Sequence, residues 1–142
     1  MKLNFYLNSI LIVVSANVRP SESSTLIQNS INSIFSNLTF EKKIKSQIYG
    51  KSTTIKSLDY LYDQIRSRST ISVLRRLLLR NLEHNTTWFY INKQVATKGI
   101  VVLVEDKQES PLGPILVSIQ SNEITQIIDW LAPEDLPKTS NK

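Results

Sequence analysis

Cysteine is absent from the 142-residue chain. Its absence excludes disulfides, thiolate zinc sites, iron–sulfur clusters and cysteine nucleophiles together. Histidine occurs once, as His84, so an imidazole-based metal site has at most one such ligand. His84 follows Glu83 at an expected helix end, where an imidazolium meets free carbonyls, which suits a capping or surface role. Only three glycines occur. They make no Gly-x-x-x-x-Gly-Lys phosphate loop, no Gly-x-Gly-x-x-Gly fingerprint and no Gly-x-Ser-x-Gly nucleophile elbow. With five prolines, the chain is neither collagen-like nor a flexible linker. The twelve acids form no paired motif for carboxylate metal binding or acid–base work. No apolar run approaches the roughly 20 residues that span a bilayer. These absences predict a protein that is not an enzyme, holds no cofactor or metal and has no membrane partner.

The N-terminus imitates a secretory signal without completing one. Lys2 gives a positive start and residues 10–14 are continuously apolar, but Asn4, Asn8 and Ser9 interrupt the run. A signal peptide uses about 7–15 apolar residues. A cytoplasmic location is therefore expected. Residues 10–18 read as a buried strand, with residues 1–9 either a short leader or an extension of it. The main domain is expected over 10–133, with a polar, disordered tail at 134–142.

What the chain has is enough apolar residue for one core, 41% of the total. Residues 22–36 carry Leu26, Ile27, Ile31, Ile34 and Phe35 at helical spacing, with Ser21 as the N-cap. Residues 38–49 alternate Leu38, Phe40, Ile44 and Ile48 against polar positions, the pattern of a strand with one wet face. Gly50 marks the expected turn. Thr54 caps a helix carrying Ile55, Leu58, Leu61, Tyr62 and Ile65, and a second helix follows over 70–83. Residues 86–92 read as a strand, with Trp88 and Tyr90 on one face and Phe89 on the other. Residues 100–104 are apolar throughout, a strand buried on both faces. Residues 105–109 form a charged turn and 110–114 a proline-fixed loop. Ile115, Val117 and Ile119 make a last strand, and Asn122 caps a final helix that Pro133 stops. The order β-α-β-α-α-β-β-β-α lacks regular βαβ alternation. It predicts an α+β fold, a single domain with a mostly antiparallel sheet and helices packed on one face.

Charge is unevenly distributed. Residues 1–41 are balanced, 42–98 carry twelve bases and three acids for a net of +9, and 99–142 carry a net of −4. A basic middle is the footprint of a polyanion binder, and also of an ordinary solvated face. Within it, Arg66, Arg68, Arg75, Arg76 and Arg80 fall in fifteen residues with no acid among them. Guanidinium groups bind phosphate bidentately. The same arginines can instead shield a leucine-rich face with their stems. Asn92-Lys93-Gln94 offers amide, cation and amide in succession, suited to phosphate and base or sugar, or to satisfying a turn. Trp88 and Tyr90 suit base stacking, or a core.

Several segments carry a family resemblance. Asn92-Lys93-Gln94-Val95-Ala96 resembles Asn-Lys-Gln-Ala-Ala, and residues 109–115 resemble Glu-Ser-Pro-Leu-Gly-Pro-Ile. Residues 128–133 resemble Ile-Asp-Trp-Leu-Ala-Pro, residues 18–22 Val-Arg-Pro-Thr-Glu, and residues 74–76 Ala-Arg-Arg. In this order and spacing, over roughly 10–133, they resemble a family of small archaeal proteins described as predicted RNA-binding, sometimes exosome-subunit-like. Ser72 and Val95 depart from its pattern, which has aspartate and alanine there. The resemblance implies a fold similar to the large-subunit ribosomal protein that binds five-S RNA. It also implies an RNA partner for Arg19, Arg75, Arg76, Asn92, Lys93 and Gln94. The leading expectation is a non-enzymatic RNA-binding protein contacting the phosphate backbone through the basic helix and the Asn-Lys-Gln turn. The alternative is a homodimeric interaction module with no nucleic acid role, using the apolar 100–104 strand. A small enzyme with an arginine phosphate clamp ranks last, because no general base is evident.

Overall fold

A computed structural model of the chain describes residues 9–41, 46–110 and 112–134. Alternating β-branched residues build its central strand. In β1 (Leu11–Asn17), Ile12, Val14 and Ala16 point one way and are buried. Six strands form one sheet in the order β2-β3-β1-β6-β4-β5, and every pairing is antiparallel. The other strands are β2 (Thr39–Phe40), β3 (Gln47–Ser52), β4 (Thr86–Ile91), β5 (Leu103–Val104) and β6 (Ile115–Gln120).

The register carries the alternation across the sheet. Val14 lies opposite Gly50 and Val117, and Val117 opposite Phe89. Directly opposed residues share a face, so these positions form one buried surface. Helices cover that surface with apolar stripes. α1 (Ser24–Ile34) brings Ile27, Ile31 and Ile34, and α2 (Asp59–Ser67) brings Leu61, Tyr62 and Ile65. α3 (Ile71–Arg80) brings Leu74, Leu77 and Leu78, and α5 (Ile124–Leu131) brings Ile124, Ile127, Ile128 and Leu131. A four-residue helix, α4 (Lys93–Ala96), adds Ala96 to the same core. The opposite face presents Val13, Ser15, Tyr49, Trp88, Tyr90 and Leu116. The expected α+β architecture is thus the one observed.

Local expectations differ in detail. Ser23, not Ser21, caps α1, its hydroxyl accepting from the Leu26 N–H at 3.2 Å. Gly50 is no turn but the middle of β3. A Cβ there would approach the Phe40 ring to 3.0 Å, so glycine lets this ring pack close to the strand. The 38–49 alternation spans two strands, joined where the Glu41 N–H donates to the Tyr49 carbonyl at 2.9 Å. Lys43, Ile44 and Lys45 of that pattern lie outside the described residues, as do Pro111 and the predictions for residues 1–8 and 135–142.

Of residues 100–104, only Leu103 and Val104 pair as a strand, at the sheet edge opposite Ile91 and Tyr90. Val101 and Val104 are buried while Ile100, Val102 and Leu103 are half-buried, so the run is not a strand buried on both faces. α3 stops at Arg80 because the chain must turn into β4. Asn81 Nδ2 donates to the Trp88 carbonyl at 2.9 Å and Thr87 Oγ1 to the Leu78 carbonyl at 2.6 Å. His84 sits in that turn with φ 58°. Glu123, not Asn122, is the N-cap of the last helix and makes no side-chain cap; its own N–H donates to the Ser121 hydroxyl at 2.9 Å in the turn before.

A one-sided sheet makes a sharp stability forecast. Phe89→Ala empties a fully buried site and is expected to cost about 3–5 kcal/mol. Ser118→Ala, on the open face of neighbouring β6, should stay within about 0.5 kcal/mol. Urea unfolding of the two variants reads the difference; equal losses would contradict the one-sided core.

Candidate nucleic-acid interface

The arginine cluster divides into two groups once folded. Arg66 and Arg75 turn inward to the end of α5, whose last carbonyls have no intrahelical partners. Arg66 Nη1 donates to the Leu131 carbonyl at 3.0 Å and Nη2 to the Trp130 carbonyl at 3.1 Å. Its guanidinium also lies 3.3 Å from the Tyr62 ring centroid, and Tyr62 stacks on Trp130 at 5.0 Å. Arg75 Nη1 donates to Asp129 Oδ1 at 2.8 Å and to the Ala132 carbonyl at 3.0 Å. Two cations from α2 and α3 thus cap α5 from outside, where its dipole is negative. Both have a structural occupation.

The second group stays outside. Arg76 and Arg80 stand one turn apart on the exposed ridge of α3, with Arg68 in the turn that precedes it. Arg76 forms a two-pronged pair with Glu105, at 2.9 and 3.1 Å. Those hydrogen bonds first, and the charge of the guanidinium second, hold the Glu105 carboxyl below the usual carboxylate range. Arg80 makes a 3.4 Å contact to the Glu105 carbonyl. Arg68 and Arg19 are exposed, and their side chains have no partner among the described residues.

The Asn92-Lys93-Gln94 segment is not an open turn. Asn92 caps α4, its Oδ1 accepting from the Val95 N–H at 3.0 Å. Lys93 is only 2% exposed. Its ammonium donates to the Asn17 carbonyl at 2.7 Å, the Leu112 carbonyl at 2.6 Å and Glu22 Oε1 at 2.9 Å. An ammonium has three protons, and each has its acceptor. Lys93 is therefore withdrawn from the surface, and the expectation that it meets RNA phosphate is corrected. Gln94 remains exposed. Glu22 falls in the expected 22–36 helix but lies outside α1. It instead precedes the cap, accepting from the Arg19 N–H at 2.8 Å and holding Lys93. The signal available in the sequence was two opposite charges in separate resemblance segments, Glu22 and Lys93.

Sequence reasoning missed a further feature. An open cavity of about 120 Å³ lies on the sheet face that no described α-helix covers, with Ser15, Asn17, Gln47, Tyr90, Lys107 and Leu116 in its lining. These residues are scattered over five segments, and only the Trp88–Tyr90 face assignment pointed that way. Trp88 and Tyr90 do share this face, ring edge to ring at 5.1 Å. Among the described residues no helix is long and apolar enough to cross a membrane, and no three acidic or histidine side chains group to hold a metal.

Architecture and surface together define a small antiparallel α+β protein with an exposed arginine ridge and a sheet face that no described α-helix covers. A family model described as RNA binding matches residues 11–121. A UPF0201 protein of Sulfurisphaera tokodaii is 36% identical over 126 residues, covering 87% of each chain. One from Metallosphaera sedula is 32% identical, covering 86% of this chain and 87% of its own. The crystal structure of a UPF0201 protein from Methanococcus jannaschii superposes with a TM-score of 0.72 at 31% identity, covering 89% of this chain and 95% of that one. A second UPF0201 crystal structure gives a TM-score of 0.75 at 25% identity, covering 87% and 94%. The chain belongs to the family whose model is described as RNA binding, and its relatives above carry the name UPF0201.

Lys93→Met removes the cation and leaves a carboxylate and two carbonyls buried without it. Breaking such a pair from one side costs about 3–5 kcal/mol. Adding Glu22→Gln should restore part of that loss, because the orphaned charge goes with it. Denaturant midpoints of the single and double variants test this; an additive double variant would show that the two groups are not coupled.

Proposed function

We propose that this chain is a non-enzymatic RNA-binding protein that holds the phosphate backbone through the exposed arginine ridge. The carrying observation is the sorting of the basic segment. Arg66, Arg75 and Lys93 are engaged inside the fold, while Arg68, Arg76 and Arg80 stay exposed along α3 and the turn before it. The family's description as RNA binding supports the polyanion reading over a merely solvated face.

The chemistry suits phosphate. A guanidinium presents paired N–H groups that match two phosphate oxygens. Arg76 already holds Glu105 in that way, through an exposed pair. Exposed ion pairs are weak in water, so a phosphate can take the place of Glu105 on Arg76. Release of Glu105 also frees the neighbourhood of Arg80, which contacts the same residue's carbonyl. Arg19 and Gln94 add exposed polar groups on the α1–α4 side. Contacts of this kind fix position on a nucleic acid without reading its sequence. A cytoplasmic site of action follows from this reading.

The test is a structured RNA pool titrated with salt, with fluorescence anisotropy as readout. Wild type should lose affinity with a log–log slope of about −0.7 to −0.9 for each phosphate contact. The triple variant Arg68→Ala, Arg76→Ala, Arg80→Ala should bind more weakly across many RNA sequences and show a shallower slope. Equal affinity and slope in the two proteins would reject the ridge.

A further inference from the structure

Across the open face of the sheet, one row of residues is fixed by register. Tyr49 lies opposite Ser15, Ser15 opposite Leu116, and Leu116 opposite Tyr90. Neighbouring strands are about 4.8 Å apart, so the two tyrosines stand roughly 14 Å from each other. Ser15 is the smallest residue in that row, and the cavity opens over it. Beside it, Asn17 and Gln47 are direct cross-strand partners, so their two amides emerge together on the same face. Their side chains have no partner among the described residues, nor does the Lys107 ammonium. The surrounding acids are otherwise engaged. Glu105 holds Arg76, while Asp106 and Glu109 close a capping box onto backbone N–H groups. Among the described residues, Lys107 is therefore the free charge in the lining of the cavity.

We infer that this cavity takes one unpaired nucleotide of the bound RNA. The base lies against Tyr90, its polar edge meets the amides of Asn17 and Gln47, and Lys107 takes its phosphate. The inference rests on the RNA-binding reading above and deepens it. Aromatic rings accept bases of any identity by stacking, and an amide offers both a donor and an acceptor to a base edge. A base paired inside an A-form helix cannot enter a depression of this kind, so the site selects unpaired positions. The face mixes Ser15, Asn17, Gln47, Ser118 and Gln120 with Val13, Trp88, Tyr90 and Leu116, and the polar amides of Asn17 and Gln47 gather at the cavity. Lys93 acts here as a positioning residue. Its ammonium holds the carbonyls of Asn17, at one wall, and of Leu112, in the loop that leads to the other.

The experiment compares a short labelled single-stranded RNA with the same strand annealed to its complement. Wild type, Tyr90→Leu, Tyr90→Phe, Asn17→Ala and the arginine triple variant are titrated with both. Tyr90→Leu should weaken single-strand binding by about tenfold and leave duplex binding unchanged, since a stacked base contributes strongly. Tyr90→Phe keeps the ring and should retain affinity. Asn17→Ala alters an exposed side chain and should cost about threefold to tenfold on the single strand, the size of one or two hydrogen bonds. It decides the matter where leucine disturbs the strand. If Tyr90→Leu and Asn17→Ala bind the single strand as wild type does while the arginine variant does not, the nucleotide site is wrong and RNA binding stands. If wild type binds neither RNA, the underlying reading falls and the site with it. If sedimentation shows a dimer that Tyr90→Leu dissociates with RNA affinity unchanged, the face belongs to a second copy of the chain and the inference is overturned.

Discussion

Transferring an ammonium out of water is costly, and so is transferring a carboxylate. The fold does both at Lys93 and Glu22, at 2% and 12% side-chain exposure. The arrangement is tolerable because no proton of the ammonium is left without an acceptor. Its three acceptors come from distant places in the chain: the end of β1, the approach to α1, and the loop before β6. A hydrophobic contact would tolerate a slip of one residue among these segments. Three charge-assisted hydrogen bonds at 2.6–2.9 Å do not, since each has a narrow range of distance and direction. The interaction therefore specifies how the segments meet, at an end of the sheet where apolar contacts alone would leave the loops underdetermined. A short helix capped by Asn92 exists to present that lysine.

The same logic recurs at the far end of the last helix. α5 finishes without a left-handed glycine cap, and its open carbonyls are met by guanidinium groups from α2 and α3. A positive charge density of +9 in the middle of the chain is thus partly an internal resource. Three of its members neutralise a carboxylate or helix carbonyls. What is left for a partner is smaller and more localised than the composition suggests, which makes the surviving ridge more informative than the total.

The architecture was legible in the sequence because it depends on periodicity, and periodicity survives in one chain. The alternation of Ile115, Val117 and Ile119, the stripe of Leu74, Leu77 and Leu78, and the split of Phe89 from Trp88 and Tyr90 all follow from period 2 or 3.6. Where the reading failed, the cause was tertiary. Gly50 looked like a turn because glycine usually marks one, and nothing local shows that the Phe40 ring will lie against it. Lys93 looked like a surface cation because lysine usually is one, and its partners sit 76, 71 and 19 residues away. The arginines could be grouped but not sorted, because Arg75 and Arg76 are neighbours in sequence that face α5 and solvent respectively. The open-face cavity could not be seen at all, since it is assembled by strand register and by a loop crossing one end of the sheet.

A one-sided sheet explains why a chain of this size has two separate polar surfaces. All its described helices spend their apolar stripes on one face, and the arginine ridge is the outer edge of that helical layer. Among the described residues no α-helix packs its apolar stripe on the other face, so its side chains stand in rows at the strand's regular spacing. Glu105 connects the two. Its carboxylate pairs with Arg76 on the helical side, and its backbone leads directly into the Asp106–Glu109 capping box that presents Lys107 to the sheet side. A phosphate that displaces Glu105 from Arg76 releases the carboxylate at the start of that turn. Glu105 thus lies between the ridge and the turn that carries Lys107. On the RNA-binding reading proposed above, the acid paired with Arg76 is the group that a phosphate on the ridge would displace.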